Sequence, residues 1–160
     1  MPNIRVERRL AAILAADIVA YSRLIEKDEA RTLTAIRAIR SEVLNPLIAD
    51  HKGRVVKLMG DGAIVEFGSV VDAVTCAVAV QEAVTTHQRE VPTDGRILFR
   101  IGINVGDVVV DDSDLLGDGV NIASRLEALA EPGAFASPMQ RKSIWRARPI
   151  SPLKIRANAR

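Results

Sequence analysis

The chain has little of what usually ties a fold together from outside its core. Only one of its 160 residues is a cysteine, so no intrachain disulfide can form and nothing points to an oxidising compartment. In its apolar helical context Cys76 reads as a small packed hydrophobe. Aromatic residues make up 3% of the chain against 48% hydrophobic residues overall, which implies a core of Val, Ile, Leu and Ala. The longest apolar run, Leu10 to Ala16, falls far short of the ~20 residues a membrane helix needs, and no signal peptide precedes it. The expected location is therefore the cytoplasm. There is no internal repeat or low-complexity tract, and the length suits one domain with one core.

Acidic residues are absent from one end. Residues 138–160 hold Arg141, Lys142, Arg146, Arg148, Lys154, Arg156 and Arg160 and no Asp or Glu, so the net charge of +2 conceals a body of 137 residues that is acidic by five. Such a tail fits nucleic acid or anionic lipid, although its composition has a second explanation below.

What is present centres on Val55-Val56-Lys57-Leu58-Met59-Gly60-Asp61-Gly62-Ala63-Ile64-Val65-Glu66-Phe67. This stretch reads as two short strands joined by an Asp61-Gly62 turn, a strong hairpin signal because tight turns need positive φ. A plain hairpin explains it. A carboxylate at the tip of a rigid element also suits a hard cation, and Lys57 in an otherwise apolar strand suits an electron-rich ligand.

Before this hairpin, Leu10 to Ala16 reads as a strand buried on both faces and ending at Asp17. Asp17 then either caps the following helix or binds metal. Asp28 reads as the N-cap of one long helix closed by Gly53, with Leu33, Ile36, Ile39, Val43 and Leu47 recurring at helical spacing. After the hairpin, Val70 to Glu90 forms a second helix with Val74, Ala77, Val78, Gln81 and Val84 as its stripe. Ile97 to Val105 is a strand, and Gly106-Asp107 turns it into Val108 to Val110. An acidic stretch containing Asp114 precedes a helix starting near Val120. On that helix Asn121 and Arg125 share a face, which as an isolated pair reads as a solvated stripe. Pro132-Gly133 ends it.

The order strand, helix, strand, strand, helix, strand, followed by further strand and helix, predicts an α+β protein. It has a ferredoxin-like βαββαβ core, an antiparallel sheet with helices on one face, and additional C-terminal elements. That topology brings the end of the first strand beside the hairpin turn, so Asp17 and Asp61 become neighbours. Two close carboxylates repel unless a cation neutralises both, and a divalent metal does so economically.

Four pieces in this order resemble the catalytic domain of class III nucleotidyl cyclases, most of all the bacterial adenylate cyclases. They are Ala16-Asp17-Ile18-Val19-Ala20-Tyr21-Ser22, Val56-Lys57-Leu58-Met59-Gly60-Asp61-Gly62, Ile101-Gly102-Ile103-Asn104-Val105-Gly106, and the run from Asp114 to Leu126. The resemblance implies that Asp17 and Asp61, with the Ile18 carbonyl, bind two Mg²⁺ or Mn²⁺ ions. It implies that Lys57 and Asp114 read the adenine edge of ATP, and that Asn121 and Arg125 orient the ribose and stabilise the transition state. It further implies a homodimer with the active site shared between subunits. No nucleic-acid partner is expected, and the apolar runs predict no membrane segment in this chain. The implied product is 3′,5′-cyclic AMP with pyrophosphate, for intracellular signalling; the alternative is a catalytically impaired module that binds nucleotide or a partner subunit.

Two departures stand out. Ala20 replaces the family's usual Gly, which matters if φ is positive there. The resemblance covers a catalytic domain over residues 1–133, incomplete at its C-terminal end; residues 134–160 form an atypical basic tail in which neither Lys142 nor Lys154 matches the family's triphosphate-binding lysine. A single-base frameshift near Gly133 accounts for the tail without a nucleic-acid partner. The gene sequence is then expected to encode Gly-Ile-Cys-Ile-Ser-Asn across Gly133 to Met139 in the frame formed by the last base of each codon and the first two of the next. Codons that cannot do so remove the explanation.

Overall fold

The computed structural model describes residues 7–111 and 114–137, and its sheet is built outward from the apolar run near the N-terminus. Strand β1, Glu7–Ile18, pairs antiparallel with β3 (Gly62–Phe67) on one side and with β4 (Phe99–Asp111) on the other. Alanine's preference for helix is overridden because its small side chain lets elements pack on both faces of the strand. Ala12, Leu14 and Ile18 enter one core with Val65, Phe67, Ile101 and Ile103. Ala11, Ile13 and Ala15 enter a second with Ile64 and Val108. This is the two-residue period of a strand with no solvent face.

Strand β2 (Arg54–Leu58) extends the sheet beyond β3, while β5 (Asp114–Leu116) and β6 (Phe135–Ala136) join β4. The order among the described residues is β2-β3-β1-β4-β5, with β6 parallel to β4. Helices α1 (Tyr21–Lys27), α2 (Glu29–Ile39), α3 (Asn45–Asp50) and α4 (Val70–His87) all pack on the first core. The expected ferredoxin-like core, with its helices on one face, is therefore present. The additional helix α5 (Asp118–Leu129) packs on the opposite face through Ala123. It lies so close to β4 that a Cβ on Gly102 would sit 2.2 Å from the Ala123 carbonyl oxygen and the Glu127 nitrogen. Buried Asn104 donates to the Gly119 carbonyl at 3.2 Å and fixes the helix along the strand.

Several local expectations are corrected. The helix expected from Asp28 to Gly53 is capped by Asp28 and runs to Asp50, but it is wound as a π-helical turn at Arg40–Leu44. Pro46 follows directly, and a wider turn accommodates a residue that has no N–H and crowds the carbonyl four residues back. The expected turn at Gly106-Asp107 is absent, because both residues continue an unbroken ladder opposite Ala11 and Leu10. The buried stripe of α4 is Ala73, Cys76, Ala77, Val80 and Val84, while Val78 is exposed. This helix is apolar nearly all round, so spacing alone does not select its inner face. Cys76 is a packed hydrophobe as expected, its thiol pushed up to about 11 by burial.

The hairpin turn also differs. Its central residues are Gly60 and Asp61, closed by paired hydrogen bonds between Met59 and Gly62 at 2.8 and 3.3 Å. No residue of the turn takes positive φ. Gly62 is needed for space instead, since a Cβ there would lie 2.7 Å from the Ala16 carbonyl oxygen.

Ala20 does adopt the left-handed region, at φ 53° and ψ 38°, where α1 begins. An alanine there is strained by roughly 1 kcal/mol relative to glycine. Ala20→Gly is therefore expected to stabilise the protein by about 0.5–1 kcal/mol, read as an increase in the urea midpoint at unchanged slope.

Candidate active site

Two groups of predicted residues form on the α5 side of the sheet. The first is at the end of β1. Asp17 stands opposite Gly62 of β3, and the Ile18 N–H donates to the Asp61 carbonyl at 2.8 Å. Asp17 and Asp61 are thereby neighbours, as the topology predicts. Asp17 does not cap α1, whose N-cap is Ala20 and has no side-chain hydrogen bond. Its carboxylate instead accepts from Arg100 Nε at 3.1 Å and Nη2 at 2.8 Å. The turn that carries Asp61 is held from the helical side by Arg40, on the π-helical turn, whose guanidinium donates to the Met59 and Gly60 carbonyls at 3.3 Å each.

Glu127 of α5 completes this group. Its Oε1 is buried without a hydrogen-bond partner and lies 3.5 Å from Arg100 Nε. Burial, then hydrogen bonding with Asp17 and the negative charge of Asp17 and Asp61, push the Glu127 carboxyl up from 4.5 to about 8, with Arg100 partly opposing. Glu127 keeps its proton because it is buried and because a third negative charge beside Asp17 and Asp61 is unfavourable. A divalent cation relieves the same repulsion, so the donor set fits a metal. Among the described residues no three Asp, Glu, His or Cys side chains form a ready-made metal cluster. The protein would accordingly supply two carboxylates and a backbone carbonyl, which suits Mg²⁺ better than a closed structural site.

The second group lines an open pocket of about 330 Å³ with Lys57, Met59, Ile64, Asp114, Val120, Asn121 and Ser124 among its walls. Lys57 arrives there because of a β-bulge. The register runs Val55 opposite Val65 and then Lys57 opposite Ile64, with Val56 as the extra residue. In a regular ladder Lys57 would share the face of Val65, towards the first core. The bulge turns it to the face of Ile64 and α5. Asp114, half-buried, accepts from the Leu115 N–H at 2.9 Å. Asn121 stands on the first turns of α5. Neither Asp17, Asp61 nor Arg125 lines this pocket, and Arg125 is exposed further along the same helix. Lys142 and Lys154 lie outside the described residues.

Arg100, Glu127 and Arg40 were not among the residues the sequence singled out. Two carried a signal. Arg100 interrupts an apolar strand, and Glu127 falls four residues after Ala123 on the buried stripe of α5, where a carboxylate is unusual.

This arrangement and the fold place the chain in the adenylate and guanylate cyclase catalytic domain family, the class III nucleotidyl cyclases, whose description matches residues 7–143. Members of this family use divalent metal ions. The chain is 57% identical over 131 residues to a Rhizobium meliloti (strain 1021) protein named "Putative adenylate cyclase 3", covering 82% of this chain and 22% of that protein. It is 31% identical to "Adenylate cyclase" of Streptomyces coelicolor, covering 81% of this chain and 32% of that protein. The chain thus spans a fifth to a third of the length of these relatives. Among solved structures it superposes on the adenylate/guanylate cyclase/hydrolase from Silicibacter pomeroyi with a TM-score of 0.75 at 46% identity, covering 81% of this chain and 75% of that one. It superposes on the adenylyl cyclase CyaB from P. aeruginosa with a TM-score of 0.70 at 25% identity, covering 81% and 76%. No helix among the described residues is long and apolar enough to cross a membrane.

The displaced titration of Glu127 has a measurable consequence in metal-free protein. The folded state keeps this proton up to about pH 8, while the unfolded chain releases it near 4.5. The folded state then binds more protons between these values, so stability falls as pH rises through that window. Urea midpoints at pH 5 and pH 8 are expected to show this fall, and Glu127→Gln to reduce it.

Proposed function

We propose that this chain is the catalytic domain of an adenylate cyclase, converting ATP to 3′,5′-cyclic AMP and pyrophosphate with two Mg²⁺ or Mn²⁺ ions at a homodimer interface. The observation that carries the reading is the convergence of Lys57, Asp114 and Asn121 in one pocket, although β2 and β5 lie at opposite ends of the strand order. Lys57 can only donate and Asp114, when ionised, only accept. Adenine offers an acceptor at N1 and a donor at its 6-amino group, so the pair matches it. Guanine reverses both and leaves buried polar groups unpaired, at about 1–3 kcal/mol each. Overall likeness does not make this distinction, since the guanylyl cyclase Cya2 is as similar in fold (TM-score 0.69, 25% identity) as the adenylyl cyclase from P. aeruginosa.

Asp17, Asp61 and the Ile18 carbonyl would hold the metals, which when bound supply charge neutralisation for the triphosphate and acidify the attacking 3′-hydroxyl. The chain's own side chains do the rest. Asn121 orients the ribose, and Arg125 offers a fixed planar cation where charge develops on the transferring phosphorus. The carboxylate pair and the base-reading pocket are separate groups in one chain, which supports a site completed by a second copy. The surface around the pocket supports it too: Leu58, Met59 and Leu116, with Ile122 and Leu129 of α5, are exposed, an apolar fringe of the kind that marks an interface.

Purified dimer assayed with ATP and with GTP tests this reading. Metal-dependent cyclic AMP formation is expected, with Asp61→Ala abolishing it, Arg125→Ala lowering kcat about 10²–10³-fold, and Lys57→Glu eroding the preference for ATP. Wild-type protein that folds and binds ATP yet forms no cyclic AMP would leave a nucleotide-binding module.

A further inference from the structure

The carboxylate that would receive a metal is already occupied by a cation of the protein itself. Both oxygens of Asp17 are taken by Arg100, through Nε at 3.1 Å and Nη2 at 2.8 Å. The two residues are cross-strand partners on β1 and β4, so the pair is built into the sheet. Each oxygen keeps a second lone pair, but a divalent ion bound there would face the guanidinium at close range, and like-charge repulsion drives Arg100 away from Asp17. The guanidinium is only partly exposed, its side chain retaining 31% of its accessible surface, so solvent alone would satisfy it poorly once it was displaced.

A second acceptor stands within reach. Glu127 Oε1 is buried, has no hydrogen-bond partner, and lies 3.5 Å from Arg100 Nε, just beyond bonding distance. The Glu127 backbone is fixed because α5 lies directly on Gly102, which leaves Arg100 as the member free to shift. We propose that Arg100 is the resident counter-ion of Asp17 in the metal-free protein, and that Glu127 is a positioning residue that receives Arg100 when a divalent ion takes Asp17. This deepens the metal-site reading above and rests on it. Metal binding is then an exchange of cations: Arg100 moves from Asp17 to Glu127, Glu127 releases its proton to solvent, and both the charge on Asp17 and the relocated guanidinium stay compensated. Since α5 also carries Asn121 and Arg125, the exchange acts on the helix that bears both.

The test is Mn²⁺ affinity, measured by the loss of the free-ion EPR signal on the 160-residue protein without nucleotide. Glu127→Gln, similar in shape, is expected to weaken Mn²⁺ binding about tenfold, because the displaced Arg100 loses its receiver. Arg100→Gln is expected to tighten binding, and in that background Glu127→Gln is expected to have no further effect. Arg100→Lys, which keeps the charge but not the planar fork, is expected to tighten binding by a smaller factor and serves if the glutamine variant does not fold. Unchanged affinity in Glu127→Gln would overturn the exchange, as would the same tenfold loss with and without Arg100, which would make Glu127 a simple source of negative charge. Asp17→Asn separates the two readings. If it abolishes binding while Glu127→Gln does nothing, the exchange fails and the metal site stands; if Asp17→Asn leaves binding intact, both fall.

Discussion

Strand β1 is buried on both faces, and the rest of the molecule is arranged around the place where that burial stops. Along the strand, alternate residues enter two different cores, so no position from Ala11 to Ala15 can carry charge cheaply. Beyond that enclosed run the next side chain on the α5 side is Asp17. It follows the last fully enclosed residues, where β3 and β4 still hold the backbone rigid. A carboxylate so placed is fixed in position by two ladders, half-screened from water, and dependent on a cation. Arg100 on the adjacent strand supplies one, and the nearby Asp61 and the raised carboxyl of Glu127 mark how strongly the site resists further negative charge.

The same constraint explains why the candidate site lies on the second face of the sheet. The first face is covered by four helices that pack on its apolar side chains. On the second face a single helix, α5, lies on β4 at backbone distance over Gly102 and leaves the sheet open on either side of it. One end of this helix brings Asn121 to the pocket shared with Lys57 and Asp114. Its other end brings Glu127 to Arg100 and Asp17. A single packing contact therefore sets the geometry of both groups of polar residues, and Asn104, by holding the Gly119 carbonyl, fixes the position of the helix along the strand.

Irregularities in the backbone fall where side chains must be aimed. The bulge at Val56 moves Lys57 from the face of the first core to the α5 face, and the π-helical turn before Pro46 carries Arg40, which grips the carbonyls of the turn bearing Asp61. The left-handed Ala20 lets the chain leave β1 and begin α1 within two residues of Ile18. These are departures from ideal geometry that regular strand and helix would not need, and they fall beside the two groups of polar residues.

Much of this was legible in the amino-acid sequence, for local reasons. The strand and helix order, the core composition and the pairing of Asp17 with Asp61 follow from apolar periodicity and from the one topology that the order allows, and the spaced motifs carried the family. Tertiary structure decided the rest, because it depended on contacts between residues distant along the chain. Gly106-Asp107 looks like a turn until a long β1 is there to pair with it. The inner face of α4 is undefined until the sheet selects one. Arg100 and Glu127 are separated by 26 residues and each looks like an ordinary charge, until β4 and α5 are pressed together and bring them against each other and Asp17.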